Sequence, residues 1–472
     1  MTARIARKEM VEMVRDGRFL AAGAIVLALL AGALLLGWQH YREVKAQREA
    51  ARKATREQWL NQGRKNPHSA AHYGVYAFKP KSPLSLVDHG TDAYTGVAAW
   101  LEAHKQNEFK YRPAQDATAA QRFGELTGAT VLQLLVPLLI VMLSFDALAG
   151  ERESGTLRQL MSLGVRPGVL AGGKAIGVAA ALLLLLIPTA ILGSVALTLA
   201  SGQEDMVAAI PRMAWMALSY LCYFGALIGV CLAVSAFARS SRWALLVLLG
   251  FWMANGLASE RVASDVAKAI SPSPSAFLFS HNIERAIRNG IDGNDPAATR
   301  QKRLEEEVLK KYKVDKLEAL PVNFNGIRLQ EGENYANVVF DRAYGELWDV
   351  FARQDSVRRL LGIVTPGLAV RALSMGFAGT DFPHHAHFAK AAEEYRRMIQ
   401  RVMNDDLVRN AGNTAPYLAG EELWKKVPAF DYEMPGAGWV LSRQWEGIAI
   451  LLVWLGGATV AAWVAMQRMR VN

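Results

Sequence analysis

The hydrophobic residues of this chain collect in about six blocks, each roughly 16 to 25 residues long. A helical block of that length crosses a hydrocarbon core of roughly 30 Å. The chain therefore reads as an α-helical polytopic membrane protein with six transmembrane helices. The blocks run apolar without alternation, which argues against a β-barrel. With 52% hydrophobic and 20% charged residues among 472, the composition excludes a fully soluble enzyme, a disulfide scaffold and a disordered chain.

The expected spans are 19–38, 128–149 (containing Pro137), 178–200 (containing Pro188), 213–237, 243–258 and 447–466. Residues 1–18 place Ala6, Met10, Met13 and Val14 at helical spacing, as in an amphipathic helix lying on a membrane surface. The expected units are thus 1–18, a surface helix; 19–38, the first span; 39–125, a polar segment; 126–258, spans two to five with a loop at 150–167; 259–445, a large polar domain; and 446–472, the last span and tail.

Short loops and ends set orientation. Arg4, Arg7, Lys8, Arg15, Arg18, Arg152, Arg158, Arg166, Arg239, Arg242, Arg468 and Arg470 all fall on one side of a six-span plan, read as cytoplasmic together with both termini. A basic run from Arg42 to Arg56 follows the first span on the other side, where a long loop weakens the rule. The two large polar segments are then extracytoplasmic, in the inner membrane of a bacterium. The larger one carries 25 basic and 25 acidic residues, so the net charge of +10 lies beside the spans and suits anionic lipid rather than nucleic acid. The domain is expected to be mainly helical, with helices near 299–312, 335–361 and 388–409 and a short strand near 322–329. Breakers at Ser271-Pro272-Ser273-Pro274, Asn289-Gly290 and Pro366-Gly367 separate them. Cys222 and Cys231 lie on opposite faces of one helix and do not pair within the chain.

The stretch leaving the second span is the most informative. It reads Glu151-Arg152-Glu153-Ser154-Gly155-Thr156-Leu157-Arg158-Gln159-Leu160-Met161-Ser162, then Gly164-Val165-Arg166 and Gly173-Lys174. Ser154 or Thr156 suits a helix cap, and Glu151 and Glu153 suit the positive helix end. Leu157, Leu160 and Met161 form a small apolar face beyond the bilayer, where a partner could bury it. In the order of its acidic residues, Gly-Thr, short helix and Gly-Lys, the stretch resembles the permease subunits of type-2 ABC transporters. His72-Tyr73-Gly74, Ala378-Gly379-Thr380-Asp381 and Ala392-Glu393-Glu394-Tyr395-Arg396 resemble phrases of a branch with a large extracytoplasmic domain.

The resemblance implies a permease subunit, read as an exporter and energised by a separate ATP-binding subunit. Glu151, Glu153, Gly155, Thr156, Leu157, Leu160 and Ser162 would form the coupling helix seated on that subunit. It further implies a second permease subunit, identical or a sister chain. No G-x-x-x-x-G-K-[ST] phosphate loop occurs in the sequence. The chain is therefore expected not to be an enzyme and to bind no cofactor, with ATP and Mg on the partner. The alternative is a membrane-anchored assembly or sensing factor whose outer domain binds a protein. Asp381, His384 and His387 form a weak metal candidate, and Asp381 equally suits a helix cap. Asp146 reads as an interfacial carboxylate near Arg152.

Overall fold

The computed structural model describes residues 1–116, 126–412 and 416–469. Residues 117–125 of the expected 39–125 segment, and Arg470 of the tail, lie outside the described residues. Among the described residues, six helices are long and apolar enough to cross a membrane: Phe19–Leu60, Gly128–Glu153, Pro167–Ala200, Asp205–Phe237, Ser241–Ile270 and Ala437–Arg468. Each contains its expected span and runs past it. The first is part of a single helix, Gly17–Leu60, of 44 residues. At 1.5 Å per residue it is about 66 Å long, roughly twice a hydrocarbon core. Its second half is therefore a stalk: the charged, helix-like start of the 39–125 segment continues the first span beyond its apolar part. The basic run on that stalk is engaged, with Lys45 Nζ 3.2 Å from Asp205 and Arg56 donating to the Val427 carbonyl at 2.7 Å. Residues 203–212, which lie between the expected third and fourth spans, are the start of the fourth helix, Gln203–Phe237. The sixth begins at Ala437, nine residues ahead of the 446 boundary.

The fourth span is the most enclosed, 61% buried over its apolar window, against 17% for the fifth. It packs on the sixth span. A Cβ on Gly229 would come within 2.9 Å of Ala458 Cβ, so the small residue there sets the helix separation. The outward faces of the bundle carry exposed leucine, isoleucine and valine, such as Leu35, Ile187, Ile191 and Val453. Two spans contain π-helical turns, Val131–Leu135 in the second and Ala254–Ala258 in the fifth. Pro137 follows the first of these inside the continuous span Gly128–Glu153, where a local π turn accommodates its missing N–H. In the second, Asn255 donates to Tyr223 Oη and accepts from the Gly367 amide, both at 2.8 Å.

The two polar segments share one core. Strands β1 (Val75–Phe78), β2 (Ala98–Glu102) and β3 (Lys105–Lys110) form an antiparallel sheet in the order β1-β2-β3. Trp59 at the stalk's end, Val75, Ala99 and Leu101 of the sheet, and Phe388, Met403 and Trp424 of the later domain pack together. The indole of Trp59 donates to the Trp424 carbonyl at 2.9 Å. The expected helices correspond to Ala297–Tyr312, Phe324–Leu360 and Phe382–Asn410, the second ending one residue before the expected 361. The strand expected near 322–329 is instead the start of the 37-residue helix Phe324–Leu360, which Asn323 caps through the Gly326 amide at 3.0 Å. Asn323 suits that cap, and Asn325 and Gly326 are residue types that strands avoid.

Candidate functional site

Residues 150–167 lie at the opposite end of the bundle from the shared core. They hold two short helices, Ala149–Glu153 and Thr156–Ser162. Gly155 joins them at φ 75°, a conformation that favours glycine. Neither Ser154 nor Thr156 caps the second helix; their hydroxyls sit 2.7 Å apart and both donate to the Glu151 carbonyl at 3.2 Å. The Ser162 hydroxyl likewise turns back, donating to the Gln159 carbonyl at 2.8 Å.

Three fastenings tie this loop to neighbouring helices, and a fourth ties the end of the second span just ahead of it. Glu151 meets Lys174 of the third span at 2.8 Å, and the same ammonium meets Glu9 of the helix Thr2–Arg15 at 2.9 Å. Glu153 accepts from the Ser241 amide at 3.0 Å and its hydroxyl at 2.8 Å. It thereby fills the open N-terminus of the fifth span with a carboxylate. Arg152 donates to the carbonyls of Ala236 and Ala238, where the fourth span ends. A cation there meets the negative end of the helix dipole. Finally, Ser235 of the fourth span donates to Phe145 O and accepts from the amides of Leu148 and Ala149.

The N-terminal helix does not rest on its apolar stripe alone. Ala6 and Glu9 are its buried residues, facing the third span. A Cβ on Gly177 would come 2.7 Å from Glu9 Cβ, so the glycine admits the helix. Sequence reasoning missed Glu9. Its signal was a carboxylate on the Ala6–Met13 face of a basic helix, opposite the lysine of Gly173-Lys174.

Leu157 was expected to face a partner, but it is 1% exposed and belongs to the core of the spans. Leu160 and Met161 are half-buried against that core. The exposed apolar tip is Leu163, at 77%. The small helix turns Leu157 inward because Gly155 reverses the chain directly before it.

At the other end, Asp381, His384 and His387 do not form a ligand set. Asp381 caps the helix Phe382–Asn410, accepting from the His384 amide at 3.1 Å. The His384 ring meets Asp381 through Nδ1 and lies 3.2 Å from the Arg212 guanidinium through Nε2, a poor place for a cation. His387 Nδ1 is 2.9 Å from Tyr432 Oη. Arg212, buried on the fourth span, also donates to the carbonyls of Gly376, Phe377 and Pro435. A second buried chain runs Arg371–Gln133–Tyr220–Ser374–Asp88. Burial raises the Asp88 carboxyl above the usual range, against the hydrogen bonds from Ser374 and the Gly90 amide. These networks fasten the polar segments to the spans.

A family model described as a domain of unknown function (DUF3526) matches residues 277–433, wholly between the fifth and sixth spans. No curated protein matches the chain.

Proposed function

We propose that this chain is the membrane-spanning permease subunit of an ABC exporter, driven by a separate ATP-binding subunit that seats on residues 150–167. One observation carries the reading. The loop exposes an apolar tip at Leu163, while ion pairs and hydrogen bonds fasten its body to the third, fourth and fifth spans and to the N-terminal helix. An anchor has no need for such a lever, whereas a stroke delivered to it reaches those elements together.

In this reading the loop end is cytoplasmic and the shared polar core extracytoplasmic, in a bacterial inner membrane. ATP and Mg belong to the partner, and a second permease subunit completes the path. The test is affinity purification of the tagged full chain from membranes in mild detergent. A P-loop ATPase should co-purify, and its hydrolysis should rise in the complex. Recovery of extracytoplasmic proteins alone would overturn the proposal in favour of an assembly or sensing factor.

A further inference from the structure

Three histidines outside every network described above converge on one point. His68 and His72 lie one turn apart on the helix Pro67–Tyr73, and His104 sits in the tight turn between β2 and β3. Their ring centroids are 4.7, 4.9 and 4.9 Å apart in pairs. His68 Nε2 is 3.2 Å from His72 Nε2 and 3.2 Å from His104 Nε2. Imidazole nitrogens bound tetrahedrally to zinc at about 2.0–2.1 Å are separated by roughly 3.4 Å, so the spacing is that of a ligand set. Hydrogen bonding alone accounts for it poorly. One ring nitrogen carries either a single N–H or a single lone pair, and His68 Nε2 faces two neighbours.

The surroundings of His104 give a second, independent pointer. Its Nδ1 meets the carboxylate of Glu333, and its backbone amide donates to the same oxygen at 3.1 Å. Glu333 is 1% exposed, and its other oxygen accepts from Gln400. A buried carboxylate holding Nδ1–H leaves the Nε2 lone pair aimed at the cluster, the arrangement that orients histidine ligands of metals. His104 is held there at φ 66°, in the left-handed region that a non-glycine residue occupies at a cost.

We propose that His68, His72 and His104 bind one divalent transition-metal ion of the zinc class, with Glu333 as the carboxylate that orients His104. Neutral imidazoles suit zinc, and three of them leave a fourth position open to water or another donor. The ion joins the segment after the stalk, the β2–β3 turn and, through Glu333, the helix Phe324–Leu360. It therefore staples the first polar segment to the domain between the fifth and sixth spans. This proposal is independent of the transport reading.

The test uses the full chain without a polyhistidine tag, purified in detergent and stripped with a chelator. Zn2+ titration by calorimetry should give one site per chain, and Co2+ should give the visible absorption of a tetrahedral complex. The exposed His72→Ala should weaken Zn2+ binding on the order of 100-fold. Glu333→Gln, which keeps all three ligands, should weaken it roughly 10- to 100-fold. His281→Ala, remote from the cluster, should match wild type. No Zn2+ binding by the wild-type chain would overturn the proposal. So would full affinity in His72→Ala, or in the triple change of His68, His72 and His104 to Ala. If Glu333→Gln fails to fold, the surface change at His72 still decides.

Discussion

Two lysines are buried at opposite ends of this molecule, and they do different work. Lys79, 3% exposed, meets Asp92 at 2.6 Å, thirteen residues away in the same segment. Lys174, 2% exposed, meets Glu9 and Glu151, 165 and 23 residues away. The first closes a local turn on a domain with its own apolar core around Trp59, Phe388 and Trp424. The second joins three separate elements where the loop has no core of its own; Leu157 and Leu160 pack into that of the spans. The lesson is mechanical. The polar domain has a core of its own and is fastened to the spans by buried hydrogen bonds, whereas the loop is held in shape by its contacts with them.

The largest expected effect comes from Lys174→Met. It strands the buried carboxylate of Glu9 and the half-buried one of Glu151 and should cost about 3–5 kcal/mol, the usual cost of removing one partner from a buried ion pair. Lys79→Met strands one, so its unfolding midpoint in detergent should fall less. Adding Glu9→Gln and Glu151→Gln to Lys174→Met should recover most of the loss. A larger drop for Lys79→Met would break the comparison.

Leu157→Ala should cost about 2–5 kcal/mol, as for a buried leucine. Because Leu157 belongs to the core of the spans, the same change should loosen the whole bundle, read as faster proteolysis in the loop between the fourth and fifth spans. Protection unchanged there would mean that the small helix packs without supporting the spans.

The polar domain should respond to acid through a buried histidine. His385 is buried against Phe109, and burial, aided by Lys79, pushes its pKa down to about 3. The unfolded chain, with a histidine near 6.5, therefore binds a proton that the folded chain refuses between about pH 3 and 6.5. Stability should be intact above pH 6.5 and fall as pH drops through that window, by roughly 2 kcal/mol at pH 5. Chemical unfolding of the wild type beside His385→Gln measures it. A variant with the same pH slope would assign the acid sensitivity elsewhere.

The smallest effect on stability is expected for Leu163→Glu, within about 0.5 kcal/mol, because the residue is on the surface. If the loop seats an ATPase, that change should nevertheless abolish co-purification. Retained co-purification would place the contact elsewhere on residues 150–167.

The six apolar blocks, the helix signals at Thr299, Tyr335 and Phe388, and the loop from Glu151 to Ser162 were all legible in the sequence. Lipid-length apolar runs and helical spacing are local properties, and a local reading finds them. The site was legible only in outline. Glu151 and Glu153 were singled out for the dipole of their own short helix. Glu153 instead serves the helix that begins at Ser241, a partner 88 residues away. His68 and His72 carried a visible one-turn spacing, but nothing in it announced His104 or Glu333.

The sequence by itself determined that this chain forms six lipid-length helices, because about twenty consecutive apolar side chains leave a backbone little choice in or out of a bilayer. It also determined where a loop with both charge and apolar surface leaves the second span. Only the tertiary structure decided that Leu157 faces inward and Leu163 outward, that Lys174 gathers Glu9 and Glu151, and that the two polar segments share one core. Each of these joins side chains far apart in the chain. Burial and ion pairing act through distance in space, which spacing along a sequence does not record.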